Sequence, residues 1–182
     1  MPKYFDFEIS LLDIQPSIWR RIQLFAVSNF ETLHDAIQDA FGWQRQHLYE
    51  FRHIDESGSV RTKSSQPVRR IARRKQAEIL DDVVVPFADD LPLVSFFAEE
   101  KDRCLYLYDF GDNWQHSVEV KDVVDMPEEF TCRRLDGARA CPPEDCGGTM
   151  GDGKESIVDS FTHARQPEIA WTSPKILHDF LC

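Results

Sequence analysis

The chain has 182 residues, 42% of them hydrophobic and 29% charged, with a formal net charge of −11. It is long enough for one domain with its own core and too apolar for a disordered chain, and its charge argues against nucleic-acid binding through a generally positive surface. No apolar run approaches the ~20 residues that span a bilayer, "MPKYFDFEIS" lacks the layout of a signal peptide, and five cysteines are too few for a disulfide framework, so the expectation is a cytoplasmic protein with reduced thiols.

"YFDFEISLLD" alternates, with Phe5, Phe7, Ile9 and Leu11 on one face and Asp6, Glu8 and Ser10 on the other. That is a half-buried strand. Pro16 turns the chain, and "IWRRIQLFAV" returns as a second, antiparallel strand. In "SNFETLHDAIQDAFGW", Ser28 and Glu31 fit an S-x-x-E capping box, and Phe30, Leu33, Ile37, Ala40 and Phe41 recur at helical spacing before Gly42. The spacing predicts a helix over about 29–41. "HLYEFRHI" follows as a short aromatic strand.

Residues 57–77 carry Arg61, Lys63, Arg69, Arg70, Arg73, Arg74 and Lys75 and no acid, leaving 14 basic against 32 acidic residues elsewhere. This basic insertion reads as loop or short helix. Arg69, Arg70, Arg73, Arg74 and Lys75 are candidate contacts for a protein or nucleic-acid partner. The plainer alternative is a solvated stretch that pairs with acids such as Asp81–Asp82 or Glu99–Glu100.

"LDDVVVPF" is a weak candidate strand, and "LPLVSFFAEE" a short helix with Leu93, Phe96 and Phe97 inward. "RCLYLYDF" is apolar on both faces and predicts a central strand. Across "GDN" it forms a hairpin with "WQHSVEVKDVV", whose Trp114, His116, Val118 and Val120 share a face. Residues 125–153 read as a long irregular loop, of a kind often functional. Helices are expected from about 152 to 164 and again from Ser173–Pro174. The order of elements predicts an α+β fold: a mainly antiparallel sheet with helices packed on it, in a single domain over 1–182.

Three constellations carry chemistry. Asp109, Asp112 and His116 surround the hairpin turn; two carboxylates and an imidazole can hold a divalent cation or activate a water. Their spacing matches no standard metal motif, and they equally fit a turn braced by its own backbone beside a core histidine. "CPPEDCGG" (141–148) places Glu144, Asp145 and Cys146 between a rigid Pro-Pro and a permissive Gly-Gly. The cysteine spacing lacks the close pair of a structural zinc site, so no metal ligand is assigned. His34 and His47 are candidates to line a cleft above the sheet, although a packed histidine is the commoner outcome. No P-loop, dinucleotide fingerprint, G-x-S-x-G or H-E-x-x-H is present, and the sequence leaves any cofactor unassigned.

"IWRRIQL", "LHDAIQDAFGWQRQHLYEF", "LYDFGDNWQHSVEV" and "ACPPEDCGG" occur in that order. Together they resemble the plasmid pRi ORF-3-like family over nearly the whole chain. The resemblance implies a single α+β domain of bacteria and archaea, often near mobile elements, without an established activity. Its motif positions fall on Trp19, His34, Trp43, His47, Phe51, Asp109, Gly111, Asp112, Trp114, His116 and Pro143 to Gly147. Family members also carry the label TnpR, which implies a resolvase. This sequence does not support one: Ser10 and Ser17 have only Arg20 and Arg21 near them, and no C-terminal helix-turn-helix follows.

Two readings remain. One is a non-enzymatic binding or accessory module, engaging a partner through the basic segment. The other is a small metal-assisted hydrolase using Asp109, Asp112 and His116 with Glu144 and Asp145. The second requires the hairpin turn and the "PPEDCGG" loop to be neighbours. The candidate binding residues are His34, His47, Asp109, Asp112, Trp114, His116, Glu144, Asp145 and Cys146; in the first reading the motif loops that carry them serve as scaffold.

Overall fold

Seven strands form one sheet in the order β4-β3-β5-β6-β1-β2-β7, and every neighbouring pair is antiparallel. The computed structural model describes residues 1–54, 70–73 and 87–149. Its strands are β1 (Lys3–Leu11), β2 (Trp19–Phe25), β3 (Tyr49–His53), β4 (Arg70–Ala72), β5 (Arg103–Tyr108), β6 (Trp114–Asp125) and β7 (Cys132–Ala138). One helix, α1 (Phe30–Phe41), and a 3₁₀ turn at Leu93–Ser95 complete the described elements.

This overturns the α+β expectation. Among the described residues a single helix lies on the sheet, and the fold is nearly all-β. The helices expected after 152 lie outside the described residues, as does most of "LDDVVVPF". Two strands went unread. β4 sits inside the basic segment and β7 inside the stretch taken as irregular. Both lie at the ends of the strand order, β4 with only an isolated bridge from Ala72 to Phe87 beyond it, and β7 ("CRRLDGA") has no clean apolar alternation. Their strand character comes from the neighbour they pair with rather than from their own pattern.

The predicted core face is formed across the sheet by register. Phe7 faces Val120, Ile9 faces Val118 and Leu11 faces His116. Tyr106 faces His116, and Phe51 faces Tyr106. Helix α1 covers this face: Phe30 meets Phe51 edge-on at 5.0 Å, Phe41 meets His116 at 4.9 Å, and His34 stacks on Tyr49 at 3.7 Å. β5 is central and buried on both faces, Leu105 and Leu107 on one and Tyr106 and Tyr108 on the other.

The start of α1 differs from the capping-box expectation by one residue. Asn29, not Ser28, is the cap, and its side chain accepts from Thr32 N at 2.9 Å. Asn29 also donates to Asp89 O, a tertiary bond that Ser28 does not make. Glu31 turns away from the cap to accept from Tyr49 OH and to pair with Arg73. The helix ends at Gly42, which adopts the left-handed conformation (φ 77°) and leads the chain into residues 43–48.

Two histidines lie in this core. His34 accepts or donates at Nδ1 with Tyr106 OH (2.8 Å), and Gln38 donates to the same hydroxyl. His116 is ringed by Phe41, Trp43 and Tyr106. Burial pushes each imidazole down to about 3, helped at His34 by the charges of Arg73 and Arg45. Both are therefore neutral when folded, whereas an unfolded histidine gains a proton below about 6.5. The stability they support is complete above that value and is lost as pH falls toward 3. We expect His116→Phe to reduce the pH dependence of unfolding free energy between pH 6 and 4 by up to ~1.4 kcal/mol per pH unit. Urea titrations at several pH values measure this; an unchanged slope contradicts it.

Candidate functional site

The turn between β5 and β6 and the 141–148 loop are neighbours at one rim of the sheet. Asp109 opens the turn in the left-handed region (φ 55°), its Oδ1 accepting from Gly111 N at 2.9 Å. Its own N–H donates to Leu48 O, which draws residues 43–48 against the turn. With Oδ1 occupied, Oδ2 lies 3.7 Å from His47 Nε2. Asp145 Oδ1 lies 2.7 Å from the same nitrogen. The nitrogen is enclosed, yet no oxygen is aligned with it as a hydrogen bond requires. Candidate ligand atoms of His47, Asp109 and Asp145 all fall within 4.8 Å of one another.

The 141–148 loop is pinned on both sides of Asp145. Trp43 Nε1 donates to Pro142 O at 2.9 Å. Glu144 uses both oxygens, one accepting from Gln44 N at 2.7 Å and the other from the hydroxyl of Tyr108. Asp112 Oδ2 accepts from Gly147 N at 3.0 Å. Gly148 (φ 72°) lies so close to Asp112 that a Cβ there would collide with its carbonyl oxygen. Between these supports Asp145 stands with its side chain 63% exposed, while that of Asp109 is 12% exposed.

The nine candidate binding residues therefore separate by position. His47, Asp109 and Asp145 converge. Asp112 and Glu144 spend their carboxylates on the loop and on residue 44. Cys146 is half-buried, and burial with the nearby Asp112 and Asp145 charges pushes its thiol up. His34, Trp114 and His116 are buried in the core, away from solvent. The contributions of Trp43 and Tyr108 were not read from sequence. Their signal was present in "FGWQRQH" and "LYDFG", where an aromatic residue with a polar tip stands beside each polar turn.

In the basic segment, Arg70 pairs with Glu50, which is fully buried and also held by Arg52. Arg73 pairs with Glu31 and lies over the Tyr49 ring. Both cations are thus engaged within the chain. Arg69, Arg74 and Lys75 lie outside the described residues. Among the described residues no helix is long and apolar enough to cross a membrane.

Among the described residues, fold and site define an antiparallel-sheet protein, buttressed by one helix, with a histidine and two carboxylates gathered at the sheet's rim. Residues 3–170 match the model of the plasmid pRiA4b ORF-3-like proteins. The uncharacterised protein y4hQ of Sinorhizobium fredii is 31% identical over 166 residues, spanning 90% of this chain and 78% of that one. A crystal structure of the protein of unknown function MM3350 from Methanosarcina mazei is similar at a TM-score of 0.64, with 30% identity over 83% of this chain and 78% of the other. The chain belongs to the plasmid pRiA4b ORF-3-like family.

Gly148→Ala tests the pinning directly. The added Cβ has backbone in its way and a left-handed φ to adopt, so the loop must lift. We expect a loss of more than ~1 kcal/mol in unfolding free energy, with faster amide exchange at Gly147. Wild-type exchange in the variant contradicts the docking described.

Proposed function

We propose that this protein is a binding module for a divalent cation, held by His47 Nε2, Asp109 Oδ2 and Asp145 Oδ1. The observation that supports this reading most is the convergence of those three atoms from segments 47, 109 and 145, with no aligned hydrogen bond at the imidazole nitrogen. Ligands at ~2.1 Å on neighbouring octahedral positions lie ~3 Å apart. The 2.7 and 3.7 Å separations bracket that spacing. One imidazole with two carboxylates suits first-row ions such as Mn²⁺, Fe²⁺ or Zn²⁺ better than Ca²⁺, which prefers an all-oxygen shell.

Three protein ligands leave coordination positions for water or for an oxygen of a bound molecule. Those open positions favour a second reading, hydrolysis by a cation-bound water. In that reading the cation lowers the pKa of the water, and Asp112 and Glu144 hold the loop rather than take part in the chemistry. Partner binding through the basic segment draws little support from Arg70 and Arg73, since Glu50 and Glu31 occupy them.

Calorimetric titration with Mn²⁺ tests the proposal. One saturable site is expected. His47→Ala, Asp109→Asn and Asp145→Asn should each weaken it by ~100-fold or more, beyond the ~10–100-fold effect of outer-sphere partners. His116→Phe should leave it unchanged. Failure of the unaltered protein to bind Mn²⁺, or undiminished binding by His47→Ala, overturns the reading.

A further inference from the structure

Arg20 is a buried cation that no element of the proposed site accounts for, only 5% exposed. Its five N–H donors find five acceptors. Nε donates to Ala40 O (3.0 Å), Nη1 to Trp19 O (2.7 Å) and Ala138 O (2.9 Å), and Nη2 to Arg139 O (2.7 Å) and Cys141 Sγ (3.0 Å). None of these is a carboxylate, so Arg20 works as a planar fork and not as half of an ion pair. Its charge is met by carbonyl dipoles, including one from the last turn of α1, where the helix dipole is negative. The guanidinium also lies over the Phe41 ring, 5.5 Å from its centroid.

The residue opposite Arg20 in the β2–β7 ladder is Gly137. A Cβ at 137 would stand 2.8 Å from Arg20 Cδ and 3.1 Å from Trp19 O. The absence of a side chain there lets the arginine stem cross to the end of β7.

The two chain segments that carry His47 and Asp145 both depart from this fork. From Ala40 the chain leaves α1 through Gly42 and reaches His47. From Arg139 and Cys141 it enters the pinned loop and reaches Asp145. We infer that Arg20 is the positioning residue of the site, setting His47 and Asp145 relative to each other by fixing the roots of both segments. This rests on the cation reading and extends it to a residue in contact with neither ligand.

Lysine at position 20 keeps the charge but cannot reach both roots with a single ammonium. We expect Arg20→Lys to raise the Mn²⁺ dissociation constant by ~10-fold or more, as loss of an outer-sphere support does, and to speed alkylation of Cys141 in the cation-free protein. Cooperative unfolding should be retained. Millimolar guanidinium added to Arg20→Ala should recover part of the affinity, which a general loss of stability would not allow. As a control, Gln23→Ala removes the 2.7 Å bond to Asp6 and should cost stability without changing affinity. Gly137→Ala, which crowds the stem and leaves the charge, replaces Arg20→Lys if that variant does not fold. Unaltered Mn²⁺ affinity in the folded Arg20→Lys or Gly137→Ala variant overturns this inference alone. Absence of Mn²⁺ binding by the unaltered protein overturns the cation reading, and this inference with it.

Discussion

The hydroxyl of Tyr108 fastens three separate parts of the chain together. It accepts from the backbone N–H groups of Gln46 (3.1 Å) and His47 (3.4 Å) and donates to the carboxylate of Glu144. Burial and the neighbouring carboxylate raise its pKa well above the ordinary tyrosine range, so the proton stays on the oxygen and the bond to Glu144 is kept. Tyr108 is the last residue of central strand β5, stacked on Trp43 at 5.3 Å. The rigidity of the sheet is thereby passed to two loops that have no strand of their own.

Around that hydroxyl the rim is assembled from complementary needs. Backbone groups in residues 44–48 and 142–148 cannot enter a ladder, and each buried one left without a partner would cost ~1–3 kcal/mol. Glu144, Asp112 and Trp43 satisfy Gln44 N, Gly147 N and Pro142 O, and Arg20 holds Arg139 O just ahead of the second loop. The polar atoms brought here thus have structural employment, with two exceptions: Asp109 Oδ2 and Asp145 Oδ1 face His47 without an aligned bond. Structural need accounts for the other supports and gives no such role to these two oxygens or to the His47 nitrogen they face.

Much of the sheet was legible in local pattern. The β1 alternation, the β5–β6 hairpin and helix α1 with its terminal Gly42 each follow from residues close in sequence. The hairpin turn and "PPEDCGG" were read as possible neighbours, and Asp112 does bond Gly147 across 35 residues. What local pattern cannot carry is pairing at long range. β7 is a strand because β2 offers it an edge, and β4 because β3 does. His116 shares its strand face with Trp114 and Val118, which marked it as a core residue, but its enclosure by Phe41 and Trp43 comes from elsewhere in the chain. His47 was separated from Asp145 by 98 positions, and no spacing rule joins them. Among the described residues the short helix expected in "LPLVSFFAEE" is only a 3₁₀ turn at Leu93–Ser95, and the helices expected after 152 lie outside the described residues.

The central claim is that one imidazole, that of His47, holds a divalent cation together with Asp109 and Asp145. Pulsed electron paramagnetic resonance of Mn²⁺ bound to protein carrying ¹⁵N-labelled histidine tests it most directly. The account predicts hyperfine coupling to one directly bound imidazole nitrogen, kept in His34→Gln and His116→Phe and abolished in His47→Ala. A bound Mn²⁺ with no imidazole coupling, or one whose coupling survives His47→Ala, would contradict it.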